Sequence, residues 1–370
     1  MDYCASLTKE AQQPKPVIQA DQAIFTSIRS PTGEGYRIVA LSPGIRPEEK
    51  VEITRRSPSH NSLCNTSADA VGLLGYALSS QRFCVAYART AGAEHTARGG
   101  QRIHTHMVLL EPDTYRCFDC NPLHVRDALI EAIGPTPLLK PPLCLETLPI
   151  VPKPTNDSPL FPLRSRTDQE SRLERIHDIA EAMLTSRRAI VIGPESPWRM
   201  FDAFLAAVPV SIRQSLSFSV GIKFAPTRDI QLTWVDRDNP ELRRIGQGEA
   251  FQWIDTHADK PALVSPFDGW LSLVNRWLTQ GRLNDLHRLS GKLDMPPCPE
   301  TLHKIATICD DLDRVADAGL ADLERLVDRY TGIHTENAVE TQLVKRLISA
   351  AVRRAACLKQ DETSTCPVST

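Results

Sequence analysis

Gly33-Glu-Gly-Tyr-Arg-Ile-Val-Ala-Leu-Ser-Pro-Gly44 reads as a glycine turn, a short strand from Tyr36 to Leu41 and a second tight turn. Far downstream, Leu216-Ser-Phe-Ser-Val-Gly221 reads as a strand opening out of a short helix. Each string scaffolds a module of its own. Neither supplies a nucleophile, a metal cage or a phosphate loop.

Around the first string, Val17 to about Phe118 is mostly strand. Ile24, Thr26 and Ile28 alternate before Pro31, and Gly72–Leu78 and Arg82–Ala88 pair around Ser79-Ser80-Gln81. In the second of these, Phe83, Val85 and Tyr87 share one face while Cys84, Ala86 and Ala88 share the other, the pattern of a half-buried strand. Pro47 to Ile53 reads as a short helix with acids at its positive end. Gly92 to Gly100 is a loop, Arg102 to Leu110 a strand, and Asn121-Pro122 starts a helix to about Ile133.

Around the second string, Thr167-Asp-Gln-Glu170 has the form of a capping box, ahead of a helix striped by Leu173, Ile176, Ala180, Met183 and Leu184. Ala189 to Gly193 is a short buried strand, Ser196-Pro197 opens another helix, and Val208 to Arg213 is a tight connection. Leu216–Ile222 and Ile230–Val235 read as a hairpin around Pro226 to Asp229. After Ser265 the chain is helical at about 266–279, 282–291, 299–316, 319–330 and 336–358. On the last helix Val344, Leu347, Ile348, Ala351, Val352, Ala355 and Leu358 form one arc, and Lys345, Arg346, Arg353 and Arg354 the other.

The expected fold is therefore α+β: a disordered tail at 1–16, a strand-rich N-terminal domain at 17–135, and a stiff proline-rich linker at 136–166. An α/β middle domain with a small sheet follows at 167–260, an all-helical segment at 261–358, and a second tail at 359–370. The chain has 370 residues, of which 41% are hydrophobic and 24% charged, with a net charge of −2. No global field recruits nucleic acid, which is not an expected partner. No apolar run reaches the roughly 20 residues of a membrane helix, and Met1-Asp-Tyr-Cys-Ala-Ser lacks the form of a secretory signal. Ten cysteines, mostly scattered, read as reduced thiols, so a cytoplasmic location is expected.

The sharpest chemical candidate is zinc. His104 and His106 project to one side of a strand, and Cys117-Phe-Asp-Cys120 is a CxxC pair, which makes four potential ligands. Packed thiols and ordinary strand histidines are the plainer reading. Val191-Ile-Gly-Pro-Glu-Ser-Pro197 has strand–turn–helix geometry, but Gly193 stands alone and Glu195 repels phosphate, so a nucleotide site there is a weaker third reading. Hydrolase elbows and metalloprotease helices do not occur, and His60 and Asp69 have no evident role. No catalytic residue and no cofactor are expected.

Several strings together resemble the bacterial GTPase-associated protein family, in the class whose N-terminal module is of the second type. The resemblance rests on Gln22-Ala-Ile-Phe25, Gly35 to Ile45, Phe83 to Ala88 and Arg98 to Leu110; Val208 to Arg213 followed by Leu216 to Gly221 resembles that family's middle module. It implies a multi-domain partner of a GTPase-like protein in a signalling or conflict system. With it, the residues imply a non-enzymatic adaptor whose contact candidates are Arg98 and Arg102 on the loop and Lys345, Arg346, Arg353 and Arg354 on the last helix. The alternative is a zinc enzyme or zinc-stabilised module using His104, His106, Cys117 and Cys120.

Overall fold

A computed structural model of the chain describes residues 16–30, 33–65, 67–94, 100–134, 137, 142–152, 167–193, 196–235, 251–257 and 265–364. The strands are β1 (Ile18–Ser30), β2 (Gly33–Leu41), β3 (Val71–Ala77), β4 (Phe83–Ala93), β5 (Gln101–Leu110), β6 (Leu148–Ile150), β7 (Ala189–Ile192), β8 (Phe218–Val220), β9 (Leu232–Val235) and β10 (Gln252–Asp255). The helices are α1 (Pro47–Arg56), α2 (Pro112–Arg116), α3 (Pro122–Ile133), α4 (Thr167–Leu184), α5 (Pro197–Ala207) and α6 (Val210–Ser215). The C-terminal set is α7 (Asp268–Thr279), α8 (Leu283–Ser290), α9 (Pro299–Arg314), α10 (Leu320–Tyr330) and α11 (Ala338–Ser364). The fold is α+β, as the sequence leads one to expect.

Local chemistry accounts for several helix starts. Pro47, Pro122, Pro197 and Pro299 occupy first turns, where a missing N–H costs nothing. Asn121 Oδ1 accepts from the Leu123 N–H at 2.9 Å and so caps α3. The side chains of the expected capping box at 167–170 lie outside the described residues.

The two expected modules share one sheet, with strand order β10-β7-β9-β8-β3-β4-β5-β1-β2 and β6 added on β1. The first four strands are parallel neighbours and the rest are antiparallel. The seam is the antiparallel pair β3–β8, with Leu73 opposite Val220 and Gly75 opposite Phe218. Gly75 makes that register possible. A Cβ there would overlap the Phe218 ring, with Cζ 2.5 Å away, and on the other face a Cβ at Gly72 would drive into Ile222.

Five expectations are corrected. Leu216–Ile222 and Ile230–Val235 are not a hairpin: β8 and β9 run parallel, with Phe218 opposite Leu232. After Gly221, at φ 71°, the chain crosses to the N-terminal half, where Lys223 N–H donates to Ser62 O at 2.7 Å. The 3-10 turn Pro226–Arg228 then carries it back to the same end of the sheet. Strand β4 is buried on both faces rather than one. Phe83, Val85 and Tyr87 join the large core beneath the helices, while Cys84, Ala86 and Ala88 join a second core closed by Ile53 of α1.

Within the stretch expected as an extended connector, Leu148–Ile150 forms β6 on β1, with Ile18 opposite Ile150. Pro149 is tolerated in so short a strand because its partner ladder lies on one side. On α11 the arcs exchange two members: Val352 is 53% exposed and Arg354 is half-buried. At 100° per residue Arg354 lies one heptad from Leu347 and three residues from Ala351, both fully buried, whereas Val352 lies one heptad from exposed Lys345. The short connection Val208–Arg213 also holds a helical turn, α6.

The main core packs α3, α4, α5 and the C-terminal helices on the sheet face that carries Leu73, Val85 and Leu232. Phe201 anchors it, its ring tilted at 37° against Phe218 at 4.6 Å and edge-on to Trp234 at 5.1 Å. Trp270 of α7 is fully buried and donates its indole N–H to Ala207 O at 2.8 Å, satisfying both a buried donor and the end of α5.

Candidate functional site

The four residues flagged for zinc occupy different surroundings. His104 and His106 are buried on β5, ring centroids 6.4 Å apart, on the face that carries Val108 and Leu110. His106 Nε2–H donates to Gln22 Oε1 at 2.7 Å, and Gln22 passes the bond on to Glu146 O. Cys117 ends α2 and is exposed, its thiol donating to Asp113 O, while Cys120 is fully buried in the main core. Burial pushes the Cys120 thiol up to about 12, against the pull of Arg213. Among the described residues no group of three or more His, Cys, Asp or Glu side chains is gathered as a metal site.

The position of His106 has a measurable consequence. Burial first, then His104 and Arg89, depress its pKa from 6.5 to about 3. Unfolding returns the imidazole to its ordinary value, so below pH 6.5 the unfolded chain binds more protons and stability falls, until the folded pKa is reached. Between pH 7.5 and 5.0 this group contributes a loss of about 2 kcal/mol. Urea unfolding of H106Q, which keeps a donor for Gln22, is expected to be flatter in pH than the parent chain by that amount. Parallel curves for the two proteins rule the assignment out.

Two polar clusters that sequence spacing does not reveal hold the modules in place. In the first, the buried Arg82 guanidinium contacts Asp21 at 2.7 Å, Glu49 at 3.2 Å and Glu111 at 3.4 Å, and donates to Gly44 O. A Cβ on Gly44 would collide with the Asp21 carboxylate, which accounts for the glycine that closes the opening motif. Ser42 of the same turn bonds both backbone groups of Gln22.

The second cluster sits where the three segments meet. Arg213 of α6, 1% exposed, donates to Val208 O, to Asp119 O and to Ser290 Oγ. Asp119 and Cys120 hold consecutive positive φ values of 55° and 47°, a conformation costly for side chains of this kind. Beside them His287 Nε2–H of α8 donates to Asp202 Oδ1 of α5 at 3.1 Å. His124 of α3 lies with its ring 6.5 Å from that of His287, and its pKa is lowered by burial and then by His287. Ser290 Oγ bonds Arg213 and the His287 carbonyl, not the His287 ring. The cluster thus holds an acid–base pair whose hydroxyl neighbour is committed to architecture.

Of the partner-contact candidates, Arg98 lies outside the described residues. Arg102 is 8% exposed and folds its guanidinium onto Ala91 O at 2.8 and 3.1 Å. Lys345, Arg346 and Arg353 are exposed on α11 and Arg354 is half-buried. Asp202, Arg213 and His287 escape sequence reasoning because they share no spacing: Asp202 and His287 stand 85 residues apart. The one local signal is a lone arginine in the otherwise uncharged run Val208–Ile212 and Gln214–Val220.

The architecture defines an α+β protein whose N-terminal strands form one continuous antiparallel block on a shared sheet. Residues 19–128, which hold nearly all of that block, match the family model described as GTPase-associated protein 1, N-terminal domain type 2, so this part of the chain is similar to that domain. No curated protein matches the chain. No helix among the described residues is long and apolar enough to cross a membrane.

Proposed function

We propose that this chain is a non-enzymatic adaptor or regulatory protein that associates with a GTPase-like protein, in the cytoplasm of a bacterium, as a component of a signalling or conflict system. The observation that carries the reading is the match of residues 19–128 to a GTPase-associated domain. The chemistry of the clusters supports it: Arg82, Arg213 and the His287–Asp202 pair each make contacts that join separate elements of the fold. The shared sheet supports it as well, since a ladder running from β10 to β2 joins the N-terminal and middle modules in one orientation.

Affinity capture of the full-length tagged chain from its native cell, with mass spectrometry of co-purifying proteins, tests the reading. A GTPase enriched over an untagged control is the expected result. Replicate captures in which no GTPase is enriched remove the reading.

A further inference from the structure

We propose that the outward face of α11 is a docking surface for an acidic helical segment of a partner protein. The argument starts from charge. Between Thr341 and Gln360 the sequence has no Asp or Glu, yet it carries Lys345, Arg346, Arg353, Arg354 and Lys359, in a chain whose net charge is −2. Four of these five are exposed; Arg354 is half-buried. Among the described residues the ion pair on this face is Lys359 with Glu324, at 3.9 Å.

The second element is geometry. Val344, Leu347 and Ala351 turn inward and are taken by the core and by the cluster of Val315 and Leu323, so the fold uses the other side of the helix. The outward side presents rows spaced by seven residues: Lys345, Val352 and Lys359; Gln342, Ser349 and Ala356; Arg346, Arg353 and Gln360. All but Val352 and Ala356 are polar, and the exposed Val352 sits between two lysines. Such rows drift by only about 20° per heptad, so a second helix laid alongside meets the same face along its length. The facing helix that fits carries carboxylates opposite the flanking cations and small apolar residues opposite Val352 and Ala356. The surface has no aromatic side chain for stacking bases, which favours a protein over single-stranded nucleic acid.

The inference does not depend on the partner being a GTPase. A labelled amphipathic helical peptide of about three heptads, with glutamates flanking an alanine–valine seam, is titrated into the full-length protein. Its lysine counterpart, a short DNA duplex and phosphatidylserine–phosphatidylcholine vesicles are titrated in parallel. The acidic peptide is expected to bind, to weaken with added salt, and to lose about 10-fold or more in affinity in K345E/R353E at unchanged melting temperature. R325E, on the exposed face of α10, is expected to leave binding as it is. Absence of peptide binding, equal binding by the double variant, or tighter binding of DNA or vesicles than of the peptide each overturns the proposal. Failure here leaves the capture result for a GTPase untouched, and the reverse also holds.

Discussion

Arg213→Ala is expected to lower the stability of the chain by about 3–5 kcal/mol, read as a fall in the urea midpoint. The guanidinium is buried and its pKa is lowered by desolvation to about 10, yet it keeps its charge at neutral pH. It is retained because it serves three segments at once: Val208 O ahead of α6, Asp119 O in the left-handed turn before α3, and Ser290 Oγ at the end of α8. Alanine leaves two carbonyls and a hydroxyl short of a donor in a dry core, and a cavity where the stem was. It also frees the Asp119–Cys120 backbone from the group that holds it in an unfavourable conformation. Arg213→Lys keeps the charge but cannot span the three acceptors with a planar fork, so it is expected to recover less than half of the loss. A cost below about 1 kcal/mol for alanine shows that the turn and the helices hold without it.

Gly75→Val carries the second large effect, about 3 kcal/mol. It does not strain the backbone, since Gly75 needs no left-handed φ. It forces a side chain into the Phe218 ring, which is itself fully buried against Phe201. Because Gly75 and Phe218 are opposite one another in the β3–β8 pair, relief of the overlap must open the seam between the two halves of the sheet. The double variant G75V/F218L tests the cause: a smaller side chain at 218 gives room, and the pair is expected to be less damaged than the sum of the singles. Additive effects mean that the steric account is wrong. The same logic applies on the opposite face to Gly72 beneath Ile222, with a less rigid neighbour and so a smaller cost.

The parts of the fold that were legible in the sequence are those that local chemistry decides. Prolines at the first turns of α1, α3 and α5 and the apolar periods of α7 to α11 place those helices within a few residues, except that α11 runs on to Ser364, past the end expected at 358. Alternation in Phe83–Ala88 identifies β4 but misjudges its burial, because small residues on one face fit a second core as readily as they fit solvent. The sense of β8 against β9 is lost for a different reason. A short turn-rich connection suits a hairpin, and nothing local records that Lys223 is drawn off to Ser62. On α11 the apolar arc holds except where Val352 and Arg354 exchange sides: there residue type and helical angle point opposite ways, and a long arginine stem can lie along the core.

The candidate site divides in the same way. The cationic run Lys345 to Lys359 is visible in the one-dimensional chain because its carboxylates are missing over twenty consecutive residues. The His104, His106, Cys117 and Cys120 set is equally visible, but spacing along a strand and around a helix end does not say whether the two pairs converge, and here they do not. Asp202, Arg213 and His287 become a cluster only by folding, as α5, α6 and α8 come together beneath the turn at Asp119.

By itself the sequence determined most of the longer helices and strands, the likeness of the N-terminal strings and the charge of the last helix, since each depends on neighbours within one or two turns of chain, whereas the short elements α2, α6, β6 and β10 escaped it. Only the tertiary structure decided that the two modules are one sheet, that β8 and β9 run parallel, and which polar groups meet. Those outcomes rest on pairings such as Gly75 with Phe218 and Asp202 with His287, whose members are distant in sequence and are selected by close packing rather than by local preference.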